Sequence, residues 1–213
     1  NMSTVGMLDG FGDEPKISED ELKLLKIHDL PPLPRPDYKS KFSESACGTT
    51  VVCVLIGGVL GLANAFIKGD IGDSTSITAS FAVMYSWAII AFGCLLYILL
   101  GDPGVIKRTP SNCCNFPPEV TNLLNRGESP STMDSNVTVG DRSFCIRCLL
   151  WREEKQKPHH CSTCQRCVYG FDHHCGVFGR CIAGGNIIPF RLILICALGG
   201  IISVVVITMA QSS

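Results

Sequence analysis

Charge is what this sequence has little of. Asp, Glu, Lys and Arg make up 17% of its 213 residues and nearly cancel, leaving a net charge of −1. A near-neutral chain offers no bulk attraction to a polyanion, so no nucleic-acid partner is expected. The shortage is also uneven. Residues 47–66, 81–100 and 192–210 contain no Asp, Glu, Lys or Arg at all. Each window is about 20 residues long, enough to cross ~30 Å of hydrocarbon as a helix. Helices of a soluble core keep a polar face, which these windows lack. With no ionisable side chain but cysteine in the spans, a transporter is disfavoured. An apolar leader is missing as well. The first 46 residues are charged and proline-bearing, so insertion is expected to rely on the first spanning helix.

Lys and Arg placement orients the spans. Arg35, Lys39 and Lys41 precede the first, and Lys68 alone lies in the short loop after it. Lys107 and Arg108 follow the second, while Arg180 and Arg191 precede the third. The expected order is a cytosolic tail (1–46), a first transmembrane helix (47–67), a lumenal loop (68–80) and a second helix (81–100). A cytosolic linker (101–143) with an Asp-Pro-Gly motif, a cysteine-rich zinc domain (144–190) and a third helix (191–210) complete it. In the tail, an acidic run and a helix-like piece at 18–27 precede "PPLPRP" at 31–36, read as a stiff spacer. Residues 109–143 are rich in Ser, Thr, Asn and Pro and read as a loose linker. "NVT" at 136–138 fits the glycosylation pattern but would be silent on the cytosolic side. Cys113 and Cys114 lie near the membrane, in reach of lipid modification, although unmodified thiols are the plainer reading.

Of 13 cysteines, seven fall in residues 145–181. On a reducing side, clustered Cys and His read as metal ligands rather than disulfides. Two copies of one spacing interlace. Cys145-x2-Cys148-x11-His160-x6-Cys167 is the first and Cys161-x2-Cys164-x9-His174-x6-Cys181 the second. Each is a complete Cys3His set for a structural zinc ion, with no coordination position left open for catalysis. A swap within either histidine pair costs only one residue of register. Superposing "PHHC" on "DHHC" leaves Cys175 as the surplus thiol, with no third copy for it to join, and His159 and His173 as surplus imidazoles. In an extended strand His173 and Cys175 share a face, a base beside a nucleophile. Asp172 either orients His173 or supports His174 from behind. His159, between Pro158 and a ligand, reads as structural or surface.

These residues resemble the cysteine-rich domain of the DHHC protein S-acyltransferases, or palmitoyltransferases. "HHCSTCQRC", "DHHC" and Cys181 carry the likeness; "DPG" at 102–104 and Asn186-x3-Phe190 extend it to about residues 47–210. The resemblance implies an α-helical polytopic membrane protein with a small cytosolic two-zinc domain. It further implies two structural Zn2+ ions, and Cys175 as acyl carrier activated by His173 and Asp172. Acyl-CoA, typically palmitoyl-CoA, would be the donor, and cysteine thiols of cytosolic or membrane-anchored proteins the acceptors. The active site would face the cytosol from an endomembrane (Golgi or ER) or the plasma membrane, in contact with lipid. Arg147, Arg166 and Arg180 are candidate contacts for CoA phosphates, ordinary solvated charge being the plainer reading of each.

The chain departs from the family pattern in three places. "GVFGR" replaces the usual Pro-Trp and Asn pair after Cys175, with Phe178 a candidate substitute for the missing aromatic. The Cys148–His160 interval is two residues longer than usual. A fourth helix and two later motifs are not present before Ser213, so a fragment whose acyl cavity lacks one wall is expected. The alternatives are a membrane-tethered zinc interaction module, such as a RING-like ligase or adaptor, and an inactive acyltransferase-like fragment. A module needs eight ligands but has no use for Cys175 beside His173.

Overall fold

The computed structural model describes residues 30–69, 74–113 and 115–211. The acidic run, the piece at 18–27 and Cys114 lie outside the described residues. Among the described residues three helices are long and apolar enough to cross a membrane: α1 (Tyr38–Gly69), α2 (Ser74–Leu100) and α5 (Ile187–Gln211). Between the last two lie the short helices α3 (Pro110–Cys113) and α4 (Pro118–Asn125) and seven strands.

Helix α1 starts at Tyr38 rather than 47, because a helix does not need an apolar first turn, only a cap. Asp37 supplies it, its carboxylate accepting the Ser40 amide at 3.0 Å. α5 packs chiefly on α2. Trp87 reaches across to donate to the Ser203 hydroxyl at 3.2 Å, and its indole lies over Gly199.

The seven strands are three antiparallel units. β1 (Val137–Val139), β2 (Arg142–Cys145) and β3 (Leu150–Glu153) form one sheet. β4 (His159–Cys161) pairs with β5 (Arg166–Val168), and β6 (His173–Cys175) with β7 (Arg180–Ile182). The three hairpins β2–β3, β4–β5 and β6–β7 share one register. Cys145 faces Leu150, Cys161 faces Arg166 and Cys175 faces Arg180. Four residues after each of these cysteines the chain turns left-handed, at Leu149 (φ 52°), Gln165 (φ 52°) and Gly179 (φ 61°). A third copy therefore exists. Spacing alone concealed it because Phe178 stands where Cys148 and Cys164 stand in the other two.

Residues 109–143, expected as a loose linker, fold in part. Val120 and Phe144 are fully buried in a cluster with Phe116, Leu124, Met133, Val137 and Trp151. These apolar positions are spaced widely among Ser, Thr and Pro, so no periodic signal betrays them. Asn136 of "NVT" uses its side chain to accept the Ile146 amide at 3.3 Å. Cys113 is buried beside the first cysteine set, out of reach of lipid in this conformation. The two extra residues before His160 are taken up by a single 3-10 turn, Glu154–Gln156, closed by left-handed Lys157.

The Asp-Pro-Gly stretch joins the membrane helices to the hairpins. Asp102 accepts the amides of Val105 (2.8 Å) and Gly104 (2.9 Å), which hold its carboxyl below the usual carboxylate range. Ile106 donates to the Cys167 carbonyl at 2.8 Å and Gly185 to the Pro103 carbonyl at 3.0 Å. A Cβ at Gly185 would stand 2.7 Å from the Gly104 nitrogen. Gly185→Ala is accordingly expected to destabilise the protein by about 1–3 kcal/mol through overpacking. The check is the thermal midpoint in detergent, and an unchanged midpoint would mean that the two loops do not meet.

Candidate active site and metal centres

Both interlaced ligand sets come together. Cys145, Cys148, His160 and Cys167 place their ligand atoms within 4.8 Å of one another, as do Cys161, Cys164, His174 and Cys181. It is Nδ1 of His160 that meets the sulfurs, at 3.2 Å from Cys148 and 3.6 Å from Cys145. His159 instead stacks on Phe171 with ring centroids 4.1 Å apart. The interlacing follows from the repeat: each hairpin gives two turn cysteines to one site, and the next hairpin gives the histidine and the late cysteine.

The donor chemistry suits a divalent cation. In the first set, hydrogen bonds with Cys148 and Cys167 pull Cys145 far below the ordinary thiol range, while Cys145 and Cys148 push Cys167 far above it. In the second set, bonding to Cys164 and Cys181 lowers Cys161, and Cys161 and Cys164 raise Cys181. Three sulfurs so close cannot all carry charge by themselves; a bound cation removes that conflict. Three thiolates still exceed a divalent charge by one, and Arg152, 6% exposed, lies beside the first set. Its guanidinium donates to Ser143 Oγ at 2.9 Å and lies 3.8 Å from Cys167 Sγ.

The third hairpin is a half-site. Cys175 occupies the position of the first turn cysteine, but Phe178 replaces the second and no fourth hairpin follows before α5. The thiol is thus left out of the metal sets for a geometric reason. It is 9% exposed, in a buried cluster with Phe178, Ile182, Ile98 and Cys196. Asp172 lies 2.8 Å from His173 Nδ1. His173 stands edge-on to Phe190 with centroids 5.3 Å apart, and Phe178 meets the same ring.

Cys175 opens onto an apolar cavity of about 390 Å³ between the three long helices. Val52 and Val59 of α1, Trp87 of α2, and Phe190 and Ile201 of α5 are among its walls. From Phe190 to Ile201 the cavity follows α5 for roughly 16 Å at 1.5 Å per residue.

Of the three candidate phosphate contacts, Arg180 is turned inward, donating to the Ile98 carbonyl at 3.1 Å and to that of Leu99. It thereby caps α2 with a positive charge at the helix C-terminus. Arg166 donates to the Pro34 and Gln165 carbonyls, and Arg147 is exposed. The proline stretch, read as a stiff spacer, is held as a strap: Arg108 bonds both the Pro31 and Cys148 carbonyls, and Leu30 and Leu33 cover the first cysteine set. Sequence reasoning missed the residues behind the ligands. His160 Nε2 faces Gln165 at 3.4 Å, and His174 Nε2 faces Glu44 at 3.1 Å. Gln165 was findable as the residue after a turn cysteine. Glu44 lies 130 residues from its partner and carried no local signal.

Two interlaced Cys3His sets and a spare cysteine behind Asp-His-His define the site. Residues 138–212 match the model of the DHHC palmitoyltransferase family. Among individual proteins, Palmitoyltransferase Hip14 of Drosophila melanogaster is 33% identical over 102 residues. That match covers 48% of this chain but 14% of the fly protein, so the chain spans only a small part of this relative.

Proposed function

We propose that this chain acts as a protein-cysteine S-palmitoyltransferase, with Cys175 as its acyl carrier. The observation that carries the reading is the place of Cys175. It ends an apolar, membrane-level cavity, two residues along a strand from a histidine already paired with a carboxylate. His173 takes the Cys175 proton and the thiolate attacks the acyl-CoA carbonyl. The bond from that carbonyl to CoA sulfur breaks, and the CoA thiolate leaves with a proton returned from His173. A protein thiol on the cytosolic face then gives its proton to His173 and attacks the acyl-Cys175 carbonyl. The bond to Cys175 sulfur breaks, and the Cys175 thiolate leaves and takes the proton back. Asp172, 2.8 Å from its Nδ1, keeps His173 in one orientation.

The cavity supports a long acyl group. At about 1.2 Å per bond of extended chain, its roughly 16 Å length accommodates about 13 bonds. The eight ligands would hold two zinc ions, whose chemistry there would be structural rather than catalytic. The positive-inside arrangement of Lys and Arg supports a cytosolic site, where CoA is soluble while the acyl chain stays in the bilayer. Endomembrane or plasma membrane location is consistent with that orientation.

The test is incubation of purified protein with labelled palmitoyl-CoA, which should leave a hydroxylamine-sensitive label. His173→Ala should slow that labelling by about 100-fold or more with metal content unchanged. Wild-type labelling kinetics in this variant would remove His173 as the base.

A further inference from the structure

We propose that Glu44, on the cytosolic turn of α1, is a positioning residue for the second Cys3His set and, through it, for the strand that carries Cys175. The inference rests on the two-metal reading above. His174 turns Nδ1 towards Cys161, Cys164 and Cys181, at 3.5, 3.5 and 4.0 Å. That leaves Nε2 to donate to the Glu44 carboxylate at 3.1 Å. An imidazole that ligates metal through one nitrogen is oriented, and made a better donor, by a carboxylate on the other.

The pair is sheltered. Its side chains are 17% and 29% exposed, against 41% and 55% for His173 and Asp172. Glu44 is itself held, since its other oxygen accepts from Ser40 Oγ at 3.2 Å. Among the described residues the first ligand histidine has a different partner: His160 meets a neutral amide, Gln165, from its own hairpin. A carboxylate behind the ligand histidine, brought from a distant helix, is thus found at the site next to the nucleophile, whereas the first set has Arg152 beside a sulfur.

The same turn of α1 grips the rest of that hairpin. Ser45 Oγ donates to the Phe178 carbonyl at 2.6 Å. Gly179, left-handed at φ 61°, lies so near that a Cβ there would stand 2.7 Å from Ser45 Oγ and would collide with the Lys41 carbonyl. Gly48 fits under the Val177 backbone with no room for a Cβ. A membrane helix thus reaches the metal ligand before Cys175 and the turn after it, and Glu44 is the member of this contact that bears on the metal.

The experiment follows the two ions separately in the full chain in detergent. Zinc release to a chromogenic chelator is timed, and the cadmium-113 spectrum of cadmium-loaded protein is recorded. Glu44→Ala should release one ion about 10–100-fold faster and the other at the wild-type rate, with slower acylation of Cys175. Glu44→Gln keeps an acceptor oxygen and should fall between wild type and Glu44→Ala. Only one cadmium resonance should move, and it should be the one that Cys181→Ala abolishes. Wild type binding fewer than two ions would defeat the metal reading and the inference together. Wild type with two ions and Glu44→Ala with unchanged release, or with both ions released faster alike, would overturn the role of Glu44 alone. Should Glu44→Ala fail to fold, Glu44→Gln decides, and an unshifted cadmium spectrum in it would overturn the proposal.

Discussion

Cys175→Ser should abolish the thioester label from palmitoyl-CoA while the protein still binds two zinc ions. The expectation comes from the repeat. Three hairpins share one register, and the cysteine at the start of each turn is Cys145, Cys161 or Cys175. The first two are completed by Cys148 and Cys164 and by ligands from the next hairpin. The third has Phe178 in place of the second cysteine, so Cys175 has the geometry of a ligand without a set to join. Replacing its sulfur costs no ligand. It does remove the thiol two residues along the strand from His173, and a serine hydroxyl stays protonated without a stronger activating arrangement. Label should fall to background, a change of several orders of magnitude, and atomic absorption should still count two ions. A label that survives in the serine variant would show that another residue carries the acyl group. A lost ion would show that Cys175 belongs to a metal set, and would favour a zinc interaction module over an enzyme.

Much of this site was legible in the chain because its logic is local. A turn of fixed size sets the Cys-x2-Cys spacing, and two copies with the same closing His-x6-Cys step left the ligand sets readable from residue numbers. The spans were legible because a bilayer excludes charge. What escaped depended on contacts between distant residues. Glu44 sits in the polar first turns of α1, where a carboxylate is unremarkable until His174 is folded against it. Arg108 and Arg166 looked like ordinary cations, yet they hold the Pro31 and Pro34 carbonyls and convert a proline spacer into a strap. The third hairpin escaped for a different reason: its turn keeps the left-handed residue, Gly179, but has exchanged a cysteine for Phe178. The signal was the alignment of Leu149, Gln165 and Gly179, which carry a common backbone conformation and no common side chain.

That exchange also bears on the departure after Cys175. Phe178 is 5% exposed and meets Phe190, which in turn meets His173. One aromatic at the turn therefore does two jobs, filling the space of the absent ligand and bracing the ring beside the histidine. The glycine before it, Gly176, is exposed with nothing within 4 Å of a would-be Cβ, so the loosened backbone lies on the open side of the turn and not against the cavity.

Removing the metals should have the widest effect of all, and a selective one. The hairpins from Arg142 to Ile182 bury few large side chains, chiefly Phe144, Leu150, Val168 and Ile182. A core of that size is marginal at best, whereas a structural zinc site contributes about 10–16 kcal/mol in isolated peptides. Domain stabilities are about 5–15 kcal/mol, so loss of both ions exceeds what the remaining packing holds. A strong chelator should therefore unfold the hairpins, seen as lost amide-exchange protection across residues 142–182, and acylation of Cys175 should stop. The helical far-ultraviolet signal should persist, because α1, α2 and α5 satisfy their backbone hydrogen bonds internally and keep their lipid or detergent solvent. Added zinc should restore protection and labelling together. Hairpins that stay protected after both ions have left would mean that side-chain packing, not metal, holds Cys175 at the mouth of its cavity.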